Sequence, residues 1–96
     1  MFIAILTYKK PLADVDKNLD AHREFLDVHY AAGDLIASGP RKARVGGVIM
    51  LTSQSREDAE AILCQDPFRV NDIADYQLVE FTPTKFATEE LAQILK

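Results

Sequence analysis

Histidine and aspartate, two residue types that move protons, stand where the sequence invites chemistry. His22 lies in the run AHREFL, between Leu19 and Leu26. At spacings of three and four residues, a helix turns its imidazole toward the same side as both leucines. Histidine changes charge close to neutral pH, which suits it to general acid or base work; the plainer reading is a ring satisfied by a backbone carbonyl. Asp66 precedes Pro67-Phe68, where an aspartate ordinarily punctuates a helix. A carboxylate at that point can also orient an imidazole through one ring N–H and raise its basicity. Spacing alone leaves open whether the two residues meet.

Three further groups qualify. Ser38-Gly39-Pro40 closes a strand; it is either a plain turn or a place where a serine hydroxyl and a glycine N–H hold a substrate oxygen. The basic run of Arg41, Lys42 and Arg44 is either a solvated hairpin tip or a means of steering an anionic small molecule toward a cleft. His29 follows His22 by seven positions, about 10.5 Å of helix rise, too far for the pair to share one metal ion; it is expected to pack at the helix C-terminus, where the dipole favours an imidazolium. Cys64, without an adjacent base, is expected to pack. Neither a phosphate-binding loop, a dinucleotide-binding glycine motif nor a G-x-S-x-G elbow is present.

The elements that must position these residues follow from periodicity. Residues 2–8 (FIAILTY) are uncharged, β-branched and aromatic, the pattern of a strand covered on both faces or central in its sheet. A helix capped by Asp14 or Asp16 is expected to run to about Ala32, with Val15, Leu19, His22, Leu26 and Val28/His29 on its buried stripe and Gly33 as its stop. Residues 35–38 read as a second strand ended by Gly39-Pro40, and Val45–Thr52 as a third, with Gly46-Gly47 marking a bulge or a close backbone approach. A second helix begins at Ser53 or Ser55, carries Glu57 and Asp58 in its first turn, buries Ala59, Ile62 and Leu63, and stops at Asp66-Pro67. Residues 68–75 read as short helix or loop, Tyr76–Phe81 as a fourth strand, and the tail EELAQILK as a short helix capped by Thr88.

The order strand, helix, strand, strand, helix, strand is the split βαβ, or ferredoxin-like, α+β arrangement, in which two helices cover one face of an antiparallel sheet. The other face is left bare in a monomer. A chain of 96 residues, 48% of them hydrophobic, makes one domain and buries only about 60–65% of its unfolded surface, so a homodimer is expected. With 11 Lys+Arg against 15 Asp+Glu, the net charge is −4, which disfavours nucleic-acid binding. A lone cysteine fits a reducing, cytoplasmic setting. The N-terminus lacks the basic segment and cleavage site of a signal peptide, and no apolar run approaches the length of a membrane-spanning helix.

Taken in order, AHREFL, AAGDLIASGP and QDPF resemble the YciI-like (YCII-related) family across roughly residues 1–86, with 87–96 as a further tail. The resemblance implies a dimeric α+β barrel whose cleft holds a proposed acid–base pair, here His22 and Asp66, with Ser38-Gly39-Pro40 along the same cleft. One relative is a dehydrochlorinase acting on a chlorinated hydroxyhydroquinone, and the fold resembles muconolactone isomerases and cofactor-free monooxygenases. His29 and the tail depart from the family's common form. The expectation is therefore a lyase or isomerase that needs no cofactor or metal and works on a small cyclic or aromatic substrate, with Phe68 or Tyr8 as an apolar wall. The alternative is a non-catalytic module for a small molecule or a protein partner, with the His–Asp pair as a structural hydrogen bond.

Overall fold

The strand at Phe2–Tyr8, β1, buries Phe2, Ala4 and Leu6 on one face, while Ile3 and Ile5 on the other are only half-buried. Its uncharged sequence reflects a central position in the sheet. The computed structural model, which describes residues 1–95, places β1 between two antiparallel neighbours. The elements that follow are α1 (Leu12–Ala31), β2 (Leu35–Pro40), a short 3-10 turn (Lys42–Arg44), β3 (Gly46–Leu51), α2 (Arg56–Leu63), α3 (Pro67–Val70), β4 (Ala74–Glu80) and α4 (Glu89–Leu95). The sheet order β2-β3-β1-β4, antiparallel throughout, is that of the ferredoxin-like α+β fold.

Several boundaries differ from the sequence expectation. No side chain caps α1, which starts at Leu12, ahead of Asp14 and Asp16. The Pro11 carbonyl closes the first turn by accepting from the N–H groups of Asp14 and Val15, leaving Asp14 to act on the dipole. Of the Val28/His29 alternatives the buried one is His29, Val28 being 63% exposed to solvent, and Phe25 joins the stripe. Strand β2 continues through Gly39 and Pro40. Pro40 is tolerated because β2 is an edge strand: the Arg41 N–H points inward to Gly46 O, so the Pro40 nitrogen lies on the open side. The bulge lies in β2, between Leu35 and Ala37, while Gly46 makes the close approach; a Cβ there would fall on the Leu6 carbonyl oxygen. β4 begins at Ala74, two residues early, because pairing with β1 runs out to Tyr8. Cys64 is exposed at the end of α2, not packed. Two caps match expectation, with Ser55 accepting from the Asp58 N–H and Thr88 from the Leu91 N–H.

One core joins Phe2, Ala4, Leu6, Ile49 and Leu51 of the sheet to Val15 and Phe25 of α1 and Ala59 and Leu63 of α2. The opposite sheet face carries Ile3, Ile5, Val48, Met50 and Val79, aligned by register (Ile3 with Met50 and Val79, Ile5 with Val48). Among the described residues, no helix is long and apolar enough to cross a membrane.

Candidate active site

Helix α1 carries His22 over the sheet, and the break between α2 and α3 brings Asp66 to it. Pro67 occupies the first position of α3, where its missing N–H costs nothing, and Asp66 is that helix's N-cap. Its Oδ1 accepts from the Phe68 N–H at 3.0 Å and lies 2.8 Å from His22 Nδ1. Its Oδ2 accepts from the Tyr76 hydroxyl at 2.6 Å. Asp66 is fully buried and His22 nearly so, so three donors replace the water that the carboxylate gave up. The imidazole also stacks on Phe68, centroids 4.1 Å apart and planes within 7°. Ring and carboxylate are thus fixed together: Nδ1 donates to Asp66, which sets the tautomer and leaves Nε2 as the acceptor.

No buried side-chain nitrogen or oxygen among the described residues lacks a partner. Nε2 of His22, which no protein group engages, therefore opens onto the cavity that His22 lines, a space of about 560 Å³. Its walls are largely apolar, from Leu6, Leu19, Leu26, Ile49 and Phe68, with Tyr8 beside them. Ser38, Gly39 and Pro40 line the same cavity as His22 and Phe68. The Ser38 hydroxyl shares a hydrogen bond of 2.7 Å with Tyr30. Gly39 lies opposite Val48, and the inward Arg41 N–H two residues on implies that the Gly39 N–H is also turned toward β3; the polar group this edge offers the cavity is the Ser38 side chain. Asp66 does not line the cavity and lies buried behind His22.

Two tyrosines border this centre. Burial, then the charge of Asp66 and the bond to it, hold the Tyr76 phenol proton far above the ordinary tyrosine value. Burial likewise raises Tyr8, opposed by the nearby Arg44 guanidinium. Both remain phenols at neutral pH. A family model for the YCII-related domain matches residues 1–82.

The chain belongs to the YCII-related family. No curated protein matches its sequence. Among solved structures, the YCII-related chain is similar to the 5-chloro-2-hydroxyhydroquinone dehydrochlorinase from Burkholderia phenoliruptrix AC1100 in complex with 2,5-dihydroxybenzoquinone. The TM-score is 0.70 at 18% identity, covering 84% of this chain and 93% of that one. At this identity the likeness establishes a shared fold.

Sequence reasoning missed three partners in this YCII-related site. Tyr76 is legible only as a strand residue, because its bond to Asp66 depends on the register of β4. Tyr30 sits near the end of α1, eight residues before Ser38, and meets it only because the chain reverses between them. His29 does more than pack at the helix end: its Nδ1 lies 2.8 Å from Asp34 Oδ2 and its Nε2 3.2 Å from Gln65 Oε1. The two histidines of α1 thus grip successive residues, Gln65 and Asp66, of one turn.

Proposed function

We propose that this chain is an acid–base enzyme of lyase or isomerase type, acting without a cofactor on a small cyclic or aromatic molecule in the cavity beside His22. The observation that carries the reading is the division of the imidazole: Nδ1 is held by a buried carboxylate while Nε2 faces an apolar-walled space. In the forward step Nε2 takes a proton from substrate, and the electron pair left behind forms a new π bond. If a chloride then departs with the electrons of its own bond, the reaction is a dehydrochlorination; if the proton returns to another carbon, it is an isomerisation. Asp66 is a positioning residue that stabilises the imidazolium formed on the way. Ser38 holds a substrate oxygen, Gly39 and Pro40 shape that edge, and the Phe68 ring backs the imidazole. The structural neighbour is a 5-chloro-2-hydroxyhydroquinone dehydrochlorinase, which supports the choice of chemistry.

The working unit in this reading is a homodimer, its two bare sheet faces packed together as a dimeric α+β barrel. Chloride release from 5-chloro-2-hydroxyhydroquinone, and C–H exchange into deuterated water for 2,5-dihydroxybenzoquinone and related cyclic enols, test the proton transfer. The expected result is turnover by the wild type, a loss of at least about a hundredfold in His22→Gln, and a smaller loss in Asp66→Asn. A His22→Gln protein as active as the wild type removes the mechanism. A wild type inert toward the whole set, paired with a large fall in Tm for His22→Ala, hands the site to the structural reading: a binding or interaction module stapled by a His–Asp bond.

A further inference from the structure

We propose that Arg44 makes the mouth of this cavity a receptor for the oxyanion of an organic acid, whose planar apolar body lies along the Phe68–His22 side. The inference rests on the cavity being the substrate site and adds the substrate's charge. Of the basic run at 41–44, the structure separates the members. Arg41 donates to Leu6 O at 3.2 Å and to Thr7 Oγ1 at 2.9 Å, and Lys42 is exposed and away from the cavity. Arg44 lines it, with Arg23 from α1 and a single carboxylate, Asp16.

Two cations and one carboxylate line this mouth, with Asp20 outside the lining at 3.8 Å from Arg23, although the chain as a whole carries −4. The local excess is therefore placed against the general trend, which is what attracts an anion to a low-dielectric cleft. The backbone makes a second case. Ala43 and Arg44 stand consecutively in the left-handed region, at φ 66° and 52°. Residues with a Cβ avoid this region, and strained backbone collects at ligand sites. The strained turn delivers the Arg44 guanidinium to Asp16, 2.7 Å away through Nη2. That bond occupies one of the guanidinium's five N–H donors, and both side chains are about half-exposed, so a fork remains for an incoming carboxylate or enolate. Tyr8, a neutral phenol beside it, does not compete for the positive charge. Asp16 is the competitor, and it gives the proposal its sharpest test.

Binding of 2-naphthoate and of its uncharged amide, 2-naphthamide, to the full chain is measured by titration calorimetry. The acid is expected to bind about tenfold more tightly than the amide, the factor a charge-assisted hydrogen bond supplies. Arg44→Gln should bring the acid to within about twofold of the amide and leave the amide unchanged, while Lys42→Gln, which removes the same charge two residues away, keeps most of the preference. Asp16→Asn, by releasing Arg44, should tighten the acid, the opposite of what loss of a merely structural ion pair would do. Equal affinity for acid and amide in the wild type overturns the proposal, as does an equal loss in Lys42→Gln and Arg44→Gln. Because the readout is binding, repeated in His22→Gln, its failure leaves the proton-transfer reading standing, and failure of that reading leaves this one.

Discussion

Asp66 shows how much one buried side chain is asked to do. It caps α3, receives the Tyr76 hydroxyl and holds the His22 ring, so its removal strands three donors in a place without water. Asp66→Ala should therefore cost about 3 kcal/mol in urea unfolding. Asp66→Asn, which keeps an acceptor toward Phe68 and His22 and lets the Tyr76 oxygen accept from its amide, should cost about 1 kcal/mol. Equal costs would mean that the carboxylate's hydrogen bonds do not hold this junction. The Tyr76 partner adds a pH dependence whose sign is fixed. Its folded value is raised above the unfolded one of about 10. The stabilisation is thus complete below that pH and lost as pH rises past it, because the unfolded phenol ionises while the folded one keeps its proton. The urea midpoint of the wild type should fall between pH 8 and pH 10.5 and that of Tyr76→Phe should fall less; parallel declines would sink the idea. His22 was legible because a helical stripe has a fixed period. The Asp66–Tyr76 bond was not, because nothing in a local pattern states how far β4 slides along β1.

At the scale of elements, the fold was legible wherever one periodic pattern had one explanation. The strand-helix order, the Ser55 and Thr88 caps and the Asp66-Pro67 break all come from local rules, and those held. What failed depended on tertiary choice. Phe25 and Val28 are both helix-compatible apolar residues, and only packing against the sheet decides that the first is buried and the second 63% exposed. The pair Gly46-Gly47 allowed either a bulge or a close approach, and the structure separates them. At Gly46 a Cβ would meet the Leu6 carbonyl oxygen, whereas at Gly47 the nearest atom, Gly39 O, is 3.2 Å away. Gly46→Ala should accordingly pry β1 from β3 and cost about 3 kcal/mol or more, since backbone cannot swing aside as a side chain does. Gly47→Ala should cost clearly less. Thermal unfolding of the two variants decides between them, and the reverse order would show that Leu6 has room to yield. Because β1 also supplies Leu6 and Tyr8 to the cavity wall, the Gly46 variant should lose ligand affinity together with stability.

Across the whole molecule, the apolar residues divide between a core that this chain closes by itself and a sheet face that it leaves only partly buried. Ile3, Ile5, Val48, Met50 and Val79 align across the three strands β3, β1 and β4, with Thr7, Asp75 and Gln77 beside them as polar neighbours on the same face. The proposed homodimer would use this patch, centred on the middle of the sheet and not on its edge, packed against its own copy. Burying it twice over brings an interface toward the roughly 1,600 Å² of a stable complex and supplies what a small domain lacks in internal burial. The wild type is expected to sediment as a dimer at micromolar concentration. Ile5→Glu, placed on the central strand opposite Val48, should give a monomer, because two carboxylates would be buried face to face without cations to pair them. Its cavity lies on the other side of the sheet, so naphthoate binding should survive in the monomer. A wild type that sediments as a monomer would end the dimer reading. A monomeric variant that no longer binds would instead mean that the second subunit holds the cavity in shape, which joins the composition of this short chain to its chemistry through the bare face of one sheet.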